Sequence, residues 1–141
     1  MRRCDDLCHP ARDGGEKGVI TITNTQRSYR IDTDRIKKAA TAMLTLIGYA
    51  DFDLGILVCN ANRMAVFNKD YRGKEGPTDI LSFPFYPELR PGEHITPASP
   101  DEANLGDIIL CPEIIDKKRL DWDRPFDDHC IVLLAQGIAH L

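Results

Sequence analysis

Two side chains near the end of the sequence, Gln136 and His140, could contact the same metal ion. They are four positions apart in a strongly apolar segment that predicts a buried helix over 127–141. Residues at this spacing lie on the same face of a helix, so the amide and the imidazole would project together. Imidazole is a good zinc ligand, whereas an amide oxygen is a poor one beside it. One histidine and one amide therefore cannot by themselves make a tight metal site.

His140 also has a simpler interpretation. A single histidine on an apolar helix is more often a hydrogen-bonded core residue than a ligand, and Gln136 would then be its amide neighbour one turn away.

A second group of residues is basic and lies at the end of another predicted helix. Lys69, Arg72 and Lys74 alternate with Asp70 and Glu75. Arginine can make two parallel hydrogen bonds to a phosphate, so Arg72 is a candidate phosphate contact, with Lys69 and Lys74 beside it. The alternative is a solvated helix end of mixed charge, which is the more common reason for such a pattern.

Three stretches, residues 68–85, 104–109 and 136–141, occur in a recognisable order. They look like a family pattern that reads "N-x-x-Y-R" followed by "P-T-D-V-L-S-F-P", then "L-G-D-I", then "H-G-x-x-H-L-x-G-x-x-H". The chain from about residue 19 to residue 141 thus resembles the YbeY family of metal-dependent endoribonucleases. The long match over residues 68–85 is specific, whereas "L-G-D-I" alone would be weak. Asp107 of that short motif is also explained as a turn or strand-end residue.

The resemblance implies a small α/β fold and cleavage of single-stranded RNA, with no role for DNA. It also implies a role in the maturation of small-subunit ribosomal RNA and in ribosome quality control, with the small ribosomal subunit as partner. The expected cofactor is one Zn²⁺ held by three histidines. Arg72 is then the catalytic and substrate-binding arginine, and Lys69 and Lys74 are further substrate contacts.

The sequence departs from the family pattern within its metal-binding motif. Gln136 occupies the position of the first histidine, and the sequence given stops at Leu141, before the position of the third. His140 is the one family ligand that remains. We therefore expect zinc binding by the 141-residue chain to be weak or absent, and the chain to be impaired or inactive as a nuclease. The alternative is a non-catalytic RNA- or ribosome-binding relic. A zinc peptidase does not fit, because Gly137 stands where its glutamate base is required.

Other cysteine and histidine residues give no stronger metal site. Cys4, Cys8 and His9 lack a second ligand pair at a matching spacing, and His94 and His129 match no part of the family motif. The five cysteines are irregularly spaced, which is not typical of a disulfide framework and favours a reducing compartment.

The elements that position these residues follow from hydrophobic periodicity. We predict strands at Val19–Thr23, Leu54–Cys59, Asp79–Phe83 and Asp107–Leu110. We predict a helix over 33–47 with one apolar face, a second helix from Asn60 or Asn62 to Tyr71, a short helix after Pro112, and the helix over 127–141. The face of the first helix comprises Ile36, Ala39 or Ala40, Met43, Leu44 and Ile47. The expected fold is α/β (α+β), with a single mixed four-stranded sheet and helices packed on it.

Composition limits the class of protein. The chain of 141 residues suits one domain, which we place at residues 19–141 after a flexible tail at residues 1–18. Its net charge of −4 gives no general support to nucleic-acid binding, so only a local basic patch could provide it. No apolar run is long enough to cross a bilayer, and the N-terminus does not resemble a signal peptide. We expect a cytoplasmic protein, with mitochondria or plastids less favoured, and no membrane partner.

Overall fold

The computed structural model of the chain describes residues 18–86, 103–118 and 125–141. The predictions for Cys4, Cys8, His9 and His94 lie outside these residues, as does nearly all of the predicted N-terminal tail.

Four strands form one mixed sheet in the order β1-β2-β4-β3. The first three strands in this order run parallel to one another, and β3 runs antiparallel to β4 at an edge. This arrangement confirms the predicted fold class. The strands are β1 Ile20–Asn24, β2 Asp53–Val58, β3 Ile80–Pro84 and β4 Asn104–Leu110. Each of the first three is shifted by one residue from its prediction, and β4 begins three residues earlier than predicted.

Four helices accompany the sheet: α1 Thr33–Ile47, α2 Ala61–Arg72, α3 Pro112–Lys117 and α4 Phe126–Ala139. Local signals set the starts of the first two. The Asp32 side chain accepts a hydrogen bond from the backbone N–H of Arg35, and Asn60 does the same for Arg63. Within the described segments, no helix has the length and apolar character needed to cross a membrane.

The helices cover both faces of the sheet. One buried cluster joins alternate β2 residues Leu54 and Ile56 to residues of α1 and α4, including Leu44 and Leu134. A second cluster joins Leu57 of β2 to α2. Because successive side chains of a strand point to opposite faces, α1 and α4 lie on one face of the sheet and α2 on the other.

The prediction that α4 is buried on all sides is wrong. Leu133, Leu134 and Ile138 are buried against the sheet, but Ala135, Gln136 and other residues of the opposite face are exposed. The exposed face of the helix includes Ala135 and Ala139, which count as apolar in composition but are small enough to face solvent at little cost. The predicted apolar face of α1 is confirmed at Ile36, Ala40 and Leu44, although Ile47 at its end is 48% exposed.

Two buried thiols, Cys59 and Cys111, follow the neighbouring strands β2 and β4. The backbone N–H of Cys59 donates to the carbonyl of Leu110 at 3.0 Å, so the parallel pairing continues to these residues. Both cysteines are fully buried free thiols. Burial, with a smaller effect of Cys111, raises the pKa of Cys59 from 9.0 to about 12, while Arg63 opposes the shift. Burial also raises the pKa of Cys111.

We predict that Cys59 lowers the stability of the fold at alkaline pH. In the unfolded chain the thiol loses its proton near pH 9, whereas in the folded chain it keeps the proton until about pH 12. The unfolded state is therefore favoured as pH rises through this interval. Urea denaturation from pH 7 to 11 is expected to show a smaller loss of unfolding free energy for Cys59→Ala than for the parent chain. If the unfolding free energy of the two proteins falls equally with pH, the buried Cys59 thiol is not the cause of the loss.

Candidate functional site

The edge strand β3 is the element that joins the two groups of predicted site residues. Its Ser82 hydroxyl donates a hydrogen bond to the backbone carbonyl of Gly137 in α4, at 3.2 Å. On the other face of the sheet, the ring of Phe83 contacts the ring of Tyr71 at the end of α2. The last turns of α4, near Gln136 and His140, therefore pack on one face of β3, and the end of α2, where Arg72 lies, packs on the other.

Gly137 permits α4 to lie unusually close to the sheet. A Cβ atom at this position would be 2.9 Å from Cδ1 of Ile80 and 3.2 Å from Cδ1 of Ile108. Contacts this short would force the neighbouring side chains to move. Because glycine has only a hydrogen in place of a Cβ atom, α4 can pack closely against the sheet here. The last turn of α4 is thereby held against β3, and its two polar side chains are carried with it.

Gln136 and His140, which follows α4 directly, lie one turn apart as their spacing predicts, but not in the buried setting predicted for this segment. Both are exposed, and the backbone N–H of His140 donates to the carbonyl of Gln136 at 3.1 Å, which closes the last turn. The interpretation of His140 as a core residue is therefore wrong. An exposed imidazole with an amide one turn away can offer a metal one strong ligand and one weak ligand.

The described segments contain no group of three or more histidine, cysteine, aspartate or glutamate side chains that could hold a metal ion. A catalytic zinc site normally has three protein ligands and a water. The donor set of Gln136 and His140 therefore does not by itself fit such a site.

The three predicted basic residues lie together at the end of α2, and all are exposed. Lys69 forms an ion pair with Glu75 at 3.4 Å, so the interpretation as a helix end of mixed charge is correct for this lysine. Arg72 and Lys74 have no side-chain hydrogen bond or ion pair to any residue in the described part of the chain. Gly73 ends the helix with a φ of +66°, a conformation that favours glycine, and so turns the chain directly after Arg72. The free guanidinium of Arg72 is available to an anion.

Asn68, one turn before Arg72, is a structural residue that the sequence analysis did not single out. It is 4% exposed, and its side-chain amide donates to the carbonyl of Gly76 at 2.8 Å. The bond ties α2 to the turn that contains Lys74. The sequence feature that could have identified Asn68 is its place at the start of the motif "N-x-x-Y-R".

Asp107 is not the turn or strand-end residue of the simpler interpretation. It lies inside β4, is fully buried and is opposite Phe83 of β3. The preceding Gly106 has a φ of +124°, and a Cβ there would be 2.1 Å from the carbonyl oxygen of Phe83. Glycine is required at this point for β3 to pair closely with β4.

We predict that Asn68→Ala destabilises the chain by about 1–3 kcal/mol, because it leaves the carbonyl of Gly76 without its buried donor. Urea denaturation measures the loss, and faster amide exchange in residues 73–78 reports release of the turn. Asn62→Ala is the matched control, since Asn62 lies on the same helix but is exposed. Its effect is expected to stay within about 0.5 kcal/mol. Equal losses in the two variants would contradict a role for the Asn68 hydrogen bond.

Comparisons with known proteins identify the family and support the fold. The sequence model of the family described as "Endoribonuclease YbeY" matches residues 21–141. A human protein named Endoribonuclease YbeY is 34% identical over 122 residues, which are 86% of this chain and 72% of the human protein. A protein of the same name from Petrotoga mobilis is 31% identical over 123 residues, which are 86% of this chain and 76% of that protein. The solution structure of a Thermotoga maritima protein superposes with a TM-score of 0.58 at 18% identity, over 87% of this chain and 71% of the other, which supports the fold. The chain belongs to the Endoribonuclease YbeY family.

Proposed function

We propose that this protein is an endoribonuclease that cleaves single-stranded RNA during the maturation of small-subunit ribosomal RNA. Membership of the Endoribonuclease YbeY family supports the cleavage of RNA. In this proposal the small ribosomal subunit is the partner, and the cytoplasm is the compartment. The buried cysteines Cys59 and Cys111 are free thiols, which is compatible with a reducing compartment.

The observation that carries the proposal is the exposed guanidinium of Arg72, which has no hydrogen-bond or ion-pair partner among the described residues and directly follows Tyr71, whose ring contacts the edge strand. The chain as a whole is acidic, with a net charge of −4, so RNA is not attracted to it everywhere. Arg72 and Lys74 are exposed cations without an ion-pair partner among the described residues, next to a turn that Asn68 holds in place. We assign to Arg72 the contact with the phosphate backbone, with Lys74 as the second cation and Lys69 weakened by its pair with Glu75.

We also propose that the 141-residue chain binds zinc weakly and cleaves RNA slowly. The family resemblance implies a metal held by histidines, and His140 is the strong donor that α4 offers. Gln136 replaces the imidazole that the family places one turn earlier, and its amide oxygen binds zinc poorly. In this chain, α4 thus supplies one good ligand where two are expected.

We predict that Arg72→Ala weakens the binding of single-stranded RNA by about fivefold to tenfold and lowers its dependence on salt by about one phosphate contact. Arg27→Ala is the matched control, because Arg27 is also exposed and lies outside the motif. Fluorescence anisotropy over a series of salt concentrations, in chelator to prevent cleavage, measures both quantities. Equal weakening by the two variants would remove the case for a specific role of Arg72.

A second prediction concerns the metal. Gln136→His is expected to raise zinc affinity by about tenfold or more, because two imidazoles at i and i+4 can reach one ion, although two ligands still give a weak site. Ala135→His is the matched control, since Ala135 is exposed on the same helix but five positions from His140. Titration calorimetry with zinc measures both. If the parent chain retains stoichiometric zinc through dialysis against chelator, our assignment of donors is wrong.

The alternative function is a non-catalytic RNA-binding relic of the same fold. The specific observation that favours it is the glutamine at position 136. Both functions require the Arg72 contact, so binding alone does not separate them. Incubation of the parent chain and of Gln136→His with single-stranded RNA and added zinc separates them, because only an endoribonuclease gives cleavage products that increase with the variant.

A further inference from the structure

Two aromatic rings lie at the end of α2, where Arg72 directly follows Tyr71 in the sequence. Tyr71 is in the last turn of α2 and Phe83 is in the edge strand β3, and their ring centroids are 4.4 Å apart with an angle of 61° between the planes. Both side chains are partly exposed. The rings pack against the second buried cluster without being enclosed by it.

The position of this pair differs from that of the other aromatic residue on α2. Phe67, one turn earlier, is only 4% exposed, and the guanidinium of Arg63 lies 5.8 Å from the centre of its ring. Phe67 therefore fills the core between α2 and the sheet. Tyr71 and Phe83 lie at the rim of the same core, where part of their apolar surface stays in contact with solvent.

We propose that Tyr71 and Phe83 form a stacking surface for an unpaired nucleobase of the RNA, while Arg72 contacts a neighbouring phosphate. The proposal rests on the proposed function and adds to it a second kind of contact. Binding sites for single strands combine cations for the backbone with aromatic side chains for the bases. Here the two kinds of group are adjacent in sequence at Tyr71 and Arg72, and β3 supplies the second ring.

Such a surface would favour single strands over duplexes. A base in a duplex is already stacked on its neighbours and must be extruded at a cost before a protein ring can cover it. An unpaired base has both of its faces available. Since every base has such a face, the contact selects for the unpaired state and tolerates different sequences.

The experiment separates a stacking contact from a contribution to folding. Tyr71→Leu and Phe83→Leu keep an apolar side chain of similar bulk but remove the aromatic face. Phe67→Leu is the matched control, because it makes the same chemical change in the buried core. The probes are a single-stranded oligoadenylate and an abasic ribose-phosphate strand of equal length and charge, both in chelator to prevent cleavage.

We expect Tyr71→Leu and Phe83→Leu to weaken binding of the oligoadenylate by about tenfold, as for the loss of one stacked base. Binding of the abasic strand should change by less than about twofold, and the salt dependence should not change, because phosphate contacts remain. The buried-core control should leave the ratio of the two affinities unaltered.

Two results would overturn the stacking proposal. One is that Tyr71→Leu and Phe83→Leu weaken the binding of both probes equally. The other is that Phe67→Leu changes the ratio of the two affinities as much as those variants do. If Arg72→Ala still weakens binding in those cases, the proposed function stands without a stacked base. If the parent chain binds neither probe, the proposed function and the stacking surface both fail.

Discussion

The antiparallel pairing of β3 with β4 is the constraint on which both halves of the candidate site depend. Its register places Ser82 opposite Ile108 and Phe83 opposite Asp107. Side chains alternate along a strand, so a slip of one residue would exchange the faces of Ser82 and Phe83. Ser82 would then lose its hydrogen bond to α4, and Phe83 would lose its contact with Tyr71 of α2. One register thus fixes the position of the donors on α4 and of the cations on α2.

Features set by short-range interactions were predictable from the sequence. The bounds of α1 match their prediction because Asp32 caps its start and Gly48, with a φ of +87°, ends it. The spacing of four between Gln136 and His140 likewise fixes their common face wherever the helix packs. The motif around Arg72 also predicted correctly that the basic residues lie together at a helix end.

Burial depends on which distant segments meet, and there the predictions were less accurate. The buried positions of Asn68 and Asp107 follow from the approach of α2 and β3, and neither residue type suggests burial. The exposed face of α4 was missed for a related reason. Ala135 is apolar by composition, but its exposure depends on whether another element covers it. Periodicity identifies a helix and its faces without showing how many of those faces the fold will cover.

The proposed cations and metal donors belong to helices that pack on opposite faces of the sheet, so in the proposed function affinity for RNA and capacity for cleavage would depend on different helices. Loss of a donor on α4, such as the replacement of an imidazole by Gln136, would then leave the proposed contacts of Arg72, in α2, and of Lys74, just after it, unaltered. The reverse also holds, since the Ser82–Gly137 hydrogen bond that holds α4 involves no residue of α2. A chain of this fold can therefore retain its RNA-binding surface after its chemistry has weakened. Retained binding is for this reason a poor measure of catalytic competence, and the residue at position 136 is the more informative one.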